Sequence, residues 1–290
     1  MTPLAFLPVL GLVALTYIAS GVSLRIHPAW AARTLALLSL ATLGSLAVLA
    51  VTITATFFTQ RVPDDIVHSN LVLSLIAGHD SVNLVLGLGA LCLVVLASIR
   101  LTLAGRRARR YRTSLPRSGV VAAAEPFAVA VPGRSGRIVI STALREILTR
   151  KELAVVYQHE QAHLDRKHHI YMGIAHALAT IFPVLERVEP AMRLAVERWA
   201  DEEAAAATGS RRLVAETISK VALSRSGVAS SNVLGAADHE VSRRAQALLC
   251  FDSPGHHLRG SAVFGSSGLV ASSLASSTLQ FHHIVTVVPI

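Results

Sequence analysis

Three apolar runs dominate the first third of the chain. Leu4 to Leu24 holds about twenty apolar or small residues, enough to cross roughly 30 Å of hydrocarbon as a helix. Thr34 to Phe58 is a second, longer run. Val82 to Leu103 is a third, with Asn83 and Arg100 near its ends, where a polar or long side chain reaches the interface. The pattern predicts three spanning helices. No basic residue precedes the first run and Arg25 follows it, which favours a retained helix over a cleaved signal peptide.

Beyond Arg117 the pattern becomes that of a folded domain. Pro126 to Val131 and Arg137 to Ile140 read as short strands around the turn Pro132-Gly133-Arg134-Ser135-Gly136, a β-hairpin. Ser141 or Thr142 can cap a short helix, and Thr149 with Glu152 three residues on forms a capping box for the next, which reads as helical through Lys167. Ile170 to Leu185 is apolar but short for a span and reads as a buried or membrane-skimming helix. Glu186 to Ala207 reads as a helix ended by Thr208-Gly209. Arg211 to Leu249 is helical with an interruption around Ser226 to Gly235. After a turn at Ser253-Pro254-Gly255, the Ser-rich apolar run Ala262 to Leu279, with Ile284 to Val288, reads as a fourth span packed through small residues.

Composition agrees with a membrane protein. Of 290 residues, 52% are hydrophobic and only 16% charged. The net charge of +9 could point to nucleic acid, but the arginines flank the apolar runs, so basic loops on the cytoplasmic face explain it and no direct nucleic-acid binding is expected. Arg25, His27 and Arg33 lie between the first two runs; Arg61, Asp64, Asp65 and Asp80 lie between the second and third; Arg100, Arg106, Arg107, Arg109, Arg110, Arg112 and Arg117 end or follow the third. This bias places the N-terminus outside and everything after the third run in the cytoplasm. His79 and Asp80, in the outer loop, read as solvated. Cys92 and Cys250 are far apart and imply neither a disulfide framework nor a Cys-type zinc site.

The chemistry gathers at His159-Glu160-Gln161-Ala162-His163, an H-E-x-x-H pattern on the helix that follows the capping box. Histidines four residues apart share one helical face and can hold a single metal ion, while Glu160 beside them can take a proton from water there. A catalytic zinc takes three protein ligands, so a third is required. His169 follows at the spacing of an H-E-x-x-H-x-x-G-x-x-H pattern, but Arg166 stands where that pattern needs glycine. Glu197, on a separate helix, is the better candidate, with Asp201 one turn later on the same face, where it can fix a ligand histidine's tautomer. Glu202 and Glu203 alongside keep open the blander reading of a solvated acidic face.

His159-Glu160-x-x-His163, the strand-turn-strand from Pro126 to Ser141 and Glu197-x-x-Ala200-Asp201 together resemble the integral-membrane zinc peptidases of the BlaR/MecR type. The resemblance covers about residues 120–250. It implies one Zn2+ per chain held by His159, His163 and Glu197, Glu160 as general base, a cytoplasmic gluzincin domain, and protein substrates that include transcriptional repressors. Arg244-Ala245-Gln246-Ala247-Leu248-Leu249 resembles a segment late in such domains; Arg244 and His239 are candidate oxyanion stabilisers, with a surface salt bridge as the alternative for each. The penicillin-binding sensor domain of the sensor members is not expected here.

The expected organisation is a mainly α membrane protein. Residues 1–105 form a membrane domain of three transmembrane helices, 106–119 a basic cytoplasmic linker, 120–258 an α+β zincin-like metallopeptidase domain with a small hairpin, and 259–290 a fourth transmembrane helix. The leading functional expectation is a membrane-embedded zinc endopeptidase acting in regulated proteolysis. Its competitors are a quality-control protease resembling HtpX and a non-catalytic receptor or scaffold whose metal only joins two helices.

Overall fold

A computed structural model of the chain describes residues 6–22, 26–70, 82–114, 119–133, 136–226 and 231–250. The expected fourth span, the turn before it, and His79 and Asp80 lie outside these residues.

The apolar runs form helices α1 (Leu7–Val22), α2 (Pro28–Thr59) and, after the short α3 (Asp64–Ser69), α4 (Leu84–Ser114). Only α2 and α4 are long and apolar enough to cross a membrane among the described residues, and they carry exposed Leu40, Val51, Val85 and Leu96, as lipid contact requires. The 16 described residues of α1 rise about 24 Å, so among the described residues two of the three expected spans are matched by helices of spanning length. Packing between the helices is close. A Cβ on Gly87 of α4 would sit 2.0 Å from the Phe57 ring of α2, so only glycine permits this approach. Between α1 and α2, Thr16 Oγ1 and Thr42 Oγ1 meet at 3.0 Å, each within hydrogen-bond reach of the carbonyl four residues back in its own helix.

Strand β1 (Val120–Val121) runs parallel to β3 (Arg137–Ser141), and β2 (Ala128–Val131) pairs antiparallel with β3 on its other side, giving the order β1-β3-β2. The hairpin is present; β1, two residues long, gives no periodic signal. Because Ser141 N donates to Phe127 O, the alternation of an antiparallel ladder turns the N–H and C=O of Ala128 and Ala130 away from β3, toward the free edge.

Ser141 caps α5 (Thr142–Ile147), its Oγ accepting from Leu144 N at 3.2 Å and from Phe127 N at 2.9 Å. The capping box then starts α6 (Arg150–Asp165): Thr149 Oγ1 accepts from Glu152 N at 3.3 Å and Glu152 Oε2 accepts from Thr149 N at 2.7 Å. Here the expectation of a helix through Lys167 is corrected. The helix stops at Asp165, Lys167 adopts a left-handed φ of 53°, and the chain folds back into α7 (His168–Ile181). A 3-10 turn, Pro183–Leu185, leads into α8 (Val188–Thr208), which ends at Gly209 with φ 70°. Helices α9 (Arg211–Ser226) and α10 (Ser231–Cys250) complete the described chain.

Helix α8 lies at the centre. Met192, Ala195, Val196 and Trp199 pack into a core with Ala32, Leu35 and Ala36 of α2 and with Ala175 and Leu178 of α7. Its Ala204 and Ala205 join a second core with Val155 of α6, Val214 of α9 and Leu248 of α10. The start of α2 is therefore a wall of the sheet-bearing domain as well as one end of an apolar helix. The other two long helices reach the same domain: Arg187 pairs with Tyr17 of α1, and Arg100 of α4 donates to Thr180 O of α7 at 3.1 Å.

Two outcomes follow. Leu35 is fully buried between α2 and α8, so Leu35→Ala should cost about 2–5 kcal/mol and lower the unfolding midpoint of the detergent-solubilised protein, whereas Leu37→Ala, on a side chain 47% exposed, should leave it nearly unchanged. At the start of α6, the Thr149 backbone N–H and the Lys220 ammonium hold the Glu152 carboxyl below its ordinary 4.5. A depressed folded-state pKa adds stability that is present above 4.5 and lost as pH falls through the folded value. The wild type should therefore unfold at higher temperature than Glu152→Gln near neutrality, with the difference vanishing on acidification below 4.5; a difference independent of pH would contradict this role.

Candidate metal centre

One turn of α6 and one turn of α8 face each other across a cleft of about 500 Å³. From α6 come His159 and His163, whose Nε2 atoms lie 3.1 Å apart. From α8 comes Glu197, with Oε2 at 3.3 Å from His159 Nε2 and Oε1 at 3.6 Å from His163 Nε2. These residues form the group able to share an ion among the described residues, with donor atoms all within 4.8 Å of one another. The set fits zinc. A tetrahedral ion bonded at about 2.0–2.1 Å separates neighbouring donors by about 3.3–3.4 Å, close to the spacings seen, and two imidazoles with a carboxylate are donors zinc accepts. His169 lines the cleft but does not join this group.

Asp201 lies one turn beyond Glu197 and is 1% exposed. Its Oδ1 stands 3.0 Å from His159 Nδ1, an ion-pair distance without full hydrogen-bond alignment. Both acidic residues of α8 meet Arg244 of α10. Arg244 forks Asp201 with Nε on Oδ2 at 2.8 Å and Nη2 on Oδ1 at 2.7 Å, and its Nη1 lies 3.0 Å from Glu197 Oε2. The guanidinium is thus engaged in a buried pair rather than a surface one, although it also lines the cleft. His239 lies on α10, its side chain outside the described residues.

The charge balance follows from this packing. Burial raises the carboxyls of Glu197 and Asp201, yet Arg244 and the neighbouring His159 outweigh it and hold both below the ordinary carboxylate range. Burial pulls His159 down, but the carboxylates of Asp201 and Glu197 overcome it and lift the metal-free ring to about 10. His163 is drawn down to about 4, chiefly by burial. Glu160 is raised, chiefly by burial, while the Ala130 backbone N–H on the free edge of β2 hydrogen-bonds to it and His159 partly offsets the shift. A carboxyl raised in this way, beside a cleft open to an extended chain, suits a group that must both take and return a proton.

Sequence reasoning missed His168. The turn at Lys167 brings it back under the site, with Nδ1 at 2.9 Å from His163 Nδ1 and its ring 4.9 Å from that of Trp199. The signal that could have found it is the polar run Asp165 to Lys167 between two apolar-faced helices, which marks a turn.

Arg244→Ala would strand two buried carboxylates, so it should lower stability by about 3–5 kcal/mol, with Arg244→Lys intermediate because it keeps the charge and loses the fork. Denaturant unfolding of the metal-free protein reads this directly. An unchanged midpoint in Arg244→Ala would contradict the balance described.

No curated protein and no solved structure matches the chain. The family comparison reaches the peptidase class and stops short of the BlaR/MecR type. Residues 102–229 match the model of Peptidase family M48, a stretch containing the whole of α6 and α8, and this supports a metallopeptidase of that family.

Proposed function

We propose that this protein is a membrane-embedded, zinc-dependent endopeptidase that cuts protein substrates at the cytoplasmic face, in regulated proteolysis of a repressor or another signalling protein. The observation that carries the reading is the convergence of His159, His163 and Glu197 on one point, with Glu160 and the free edge of β2 beside it. The site is the zinc position of one ion per chain, and the zinc would supply a Lewis acid that polarises the scissile carbonyl and acidifies a water.

The chain's own residues do the rest. Glu160 takes a proton from the attacking water and passes it to the departing amine, helped by a pKa already raised by burial. Ala128 and the Ala130 carbonyl face the free edge of β2, while the Ala130 N–H is held by Glu160, so a substrate strand can add to the sheet beside the general base and lie across the cleft by β-augmentation. The apolar lining from Leu144, Val155, Val156, Ile218 and Val221 accepts an apolar side chain of that strand. Asp201 steadies His159. Arg244 holds Asp201 and Glu197, and its place on the cleft wall keeps it in reach of a developing oxyanion.

The arginines after α2's outer loop and along the end of α4 support a cytoplasmic domain and an external N-terminus. The apolar lining also favours a second reading, quality control like that of HtpX, because misfolded proteins expose apolar segments. Substrate breadth separates the two: a single cleaved regulator supports the first and many unfolded clients the second.

The test compares wild type, Glu160→Gln and Glu197→Ala, purified in detergent and offered an unfolded protein. Glu160→Gln should keep its zinc and lose at least about 100-fold in cleavage rate, while Glu197→Ala should lose both zinc and cleavage. Cleavage by Glu160→Gln at the wild-type rate would exclude it as the base.

A further inference from the structure

His168 is a buried polar group that the reaction above does not use. It is 1% exposed, set between the aromatic rings of Trp199 at 4.9 Å and Tyr171 at 6.4 Å. Its Nδ1 lies 2.9 Å from Nδ1 of His163, and its Nε2 has no hydrogen-bond partner among the described residues. The ring stands on the opposite side of His163 from Glu197, so it cannot share the ion that His163 Nε2 faces.

We propose that His168 is the positioning residue of the metal ligand His163, accepting the Nδ1–H of that imidazole so that Nε2 carries the lone pair presented to the metal. The inference rests on the zinc-site reading above. A neutral imidazole that binds a metal through Nε2 must keep its proton on Nδ1, and that proton needs an acceptor if the ring is not to rotate or change tautomer. His159 has the Asp201 carboxylate for this purpose; among the described residues His163 has no carboxylate on Nδ1 and has His168 instead. The acceptor role fixes His168 as a neutral ring with its proton on Nε2, the form an apolar pocket tolerates best. A neutral acceptor beside His163 also avoids adding a third anion to a site that already buries Glu197 and Asp201.

The packing that holds His168 leads to the membrane helix. Trp199 stacks near His168 from α8, donates Nε1–H to Glu203 Oε1 at 3.1 Å, and carries the Arg33 guanidinium of α2 at 5.1 Å from its ring centroid; that guanidinium also lies 5.2 Å from Trp30. The orientation of His163 is therefore set by a chain of ring contacts running from α2 through α8 to the start of α7, and the left-handed Lys167 delivers His168 into it.

The full-length protein in detergent, stripped of metal, is titrated with Zn2+ against a chelator of known affinity, comparing wild type, His168→Leu and His168→Asn. Leucine fills the pocket without an acceptor, whereas the Asn amide oxygen falls near the place of Nδ1. His168→Leu should bind zinc about 10–100-fold more weakly while its metal-free form unfolds at or above the wild-type midpoint, and His168→Asn should recover most of the affinity. With Co2+ in place of zinc, the visible spectrum of His168→Leu should differ from the wild type and that of His168→Asn should return toward it. Equal affinity in wild type and His168→Leu overturns the proposal, and so does an equal loss in both variants, which would mark a packing role. Failure of the wild type itself to bind zinc is a different result, and it removes the zinc-site reading on which the proposal stands.

Discussion

The constraint on which this structure depends is the burial of two carboxylates one turn apart on a single helix. Glu197 and Asp201 sit on the cleft side of α8, a helix otherwise packed by buried apolar residues that include Met192, Val196, Trp199, Ala204 and Ala205. Charges in such a place must be matched at close range or they do not stay charged. Arg244 from α10 matches both, and His159 of α6 lies 3.3 Å from Glu197 and 3.0 Å from Asp201. Three helices are thereby pinned to one another by electrostatics as well as by packing. The arrangement leaves an anionic oxygen and two imidazole nitrogens directed at one point, which is the electronic character of a site for a divalent cation.

The same helix ties the site to the apolar part of the chain. The first turns of α2 lie inside the core formed with α7 and α8. Ala29, Ala32 and Ala36 let the helices approach closely, and Trp30 with Arg33 marks the level at which the apolar face of α2 gives way to the domain. A displacement of α2 would be felt at Trp199, which lies on α8 midway between Glu197 and Asp201, two residues from each, so apolar helix and cleft form one mechanical unit.

Much of this was legible in the sequence because helix periodicity alone decides which residues share a face. His159 and His163, or Glu197 and Asp201, four apart in stretches without Gly or Pro, point the same way wherever the helices go. The capping box at Thr149 and Glu152 and the stop at Gly209 were readable for similar local reasons. What sequence periodicity does not carry is the direction a chain takes after a break. Lys167 adopts a left-handed conformation that favours glycine, so the helix seemed to continue, and His168 was hidden by that single dihedral angle. Arg244 was found by resemblance, but its partners depend on how α10 packs on α8, a long-range fact.

The central claim is that α6 and α8 together form a three-ligand zinc site. X-ray absorption at the zinc edge of the purified, zinc-loaded protein tests it most directly. The account predicts one zinc per chain with two imidazole nitrogens and a carboxylate oxygen at about 2.0–2.2 Å, and no sulfur. A protein that retains no zinc, or a spectrum showing fewer than two imidazoles or any thiolate, would contradict it.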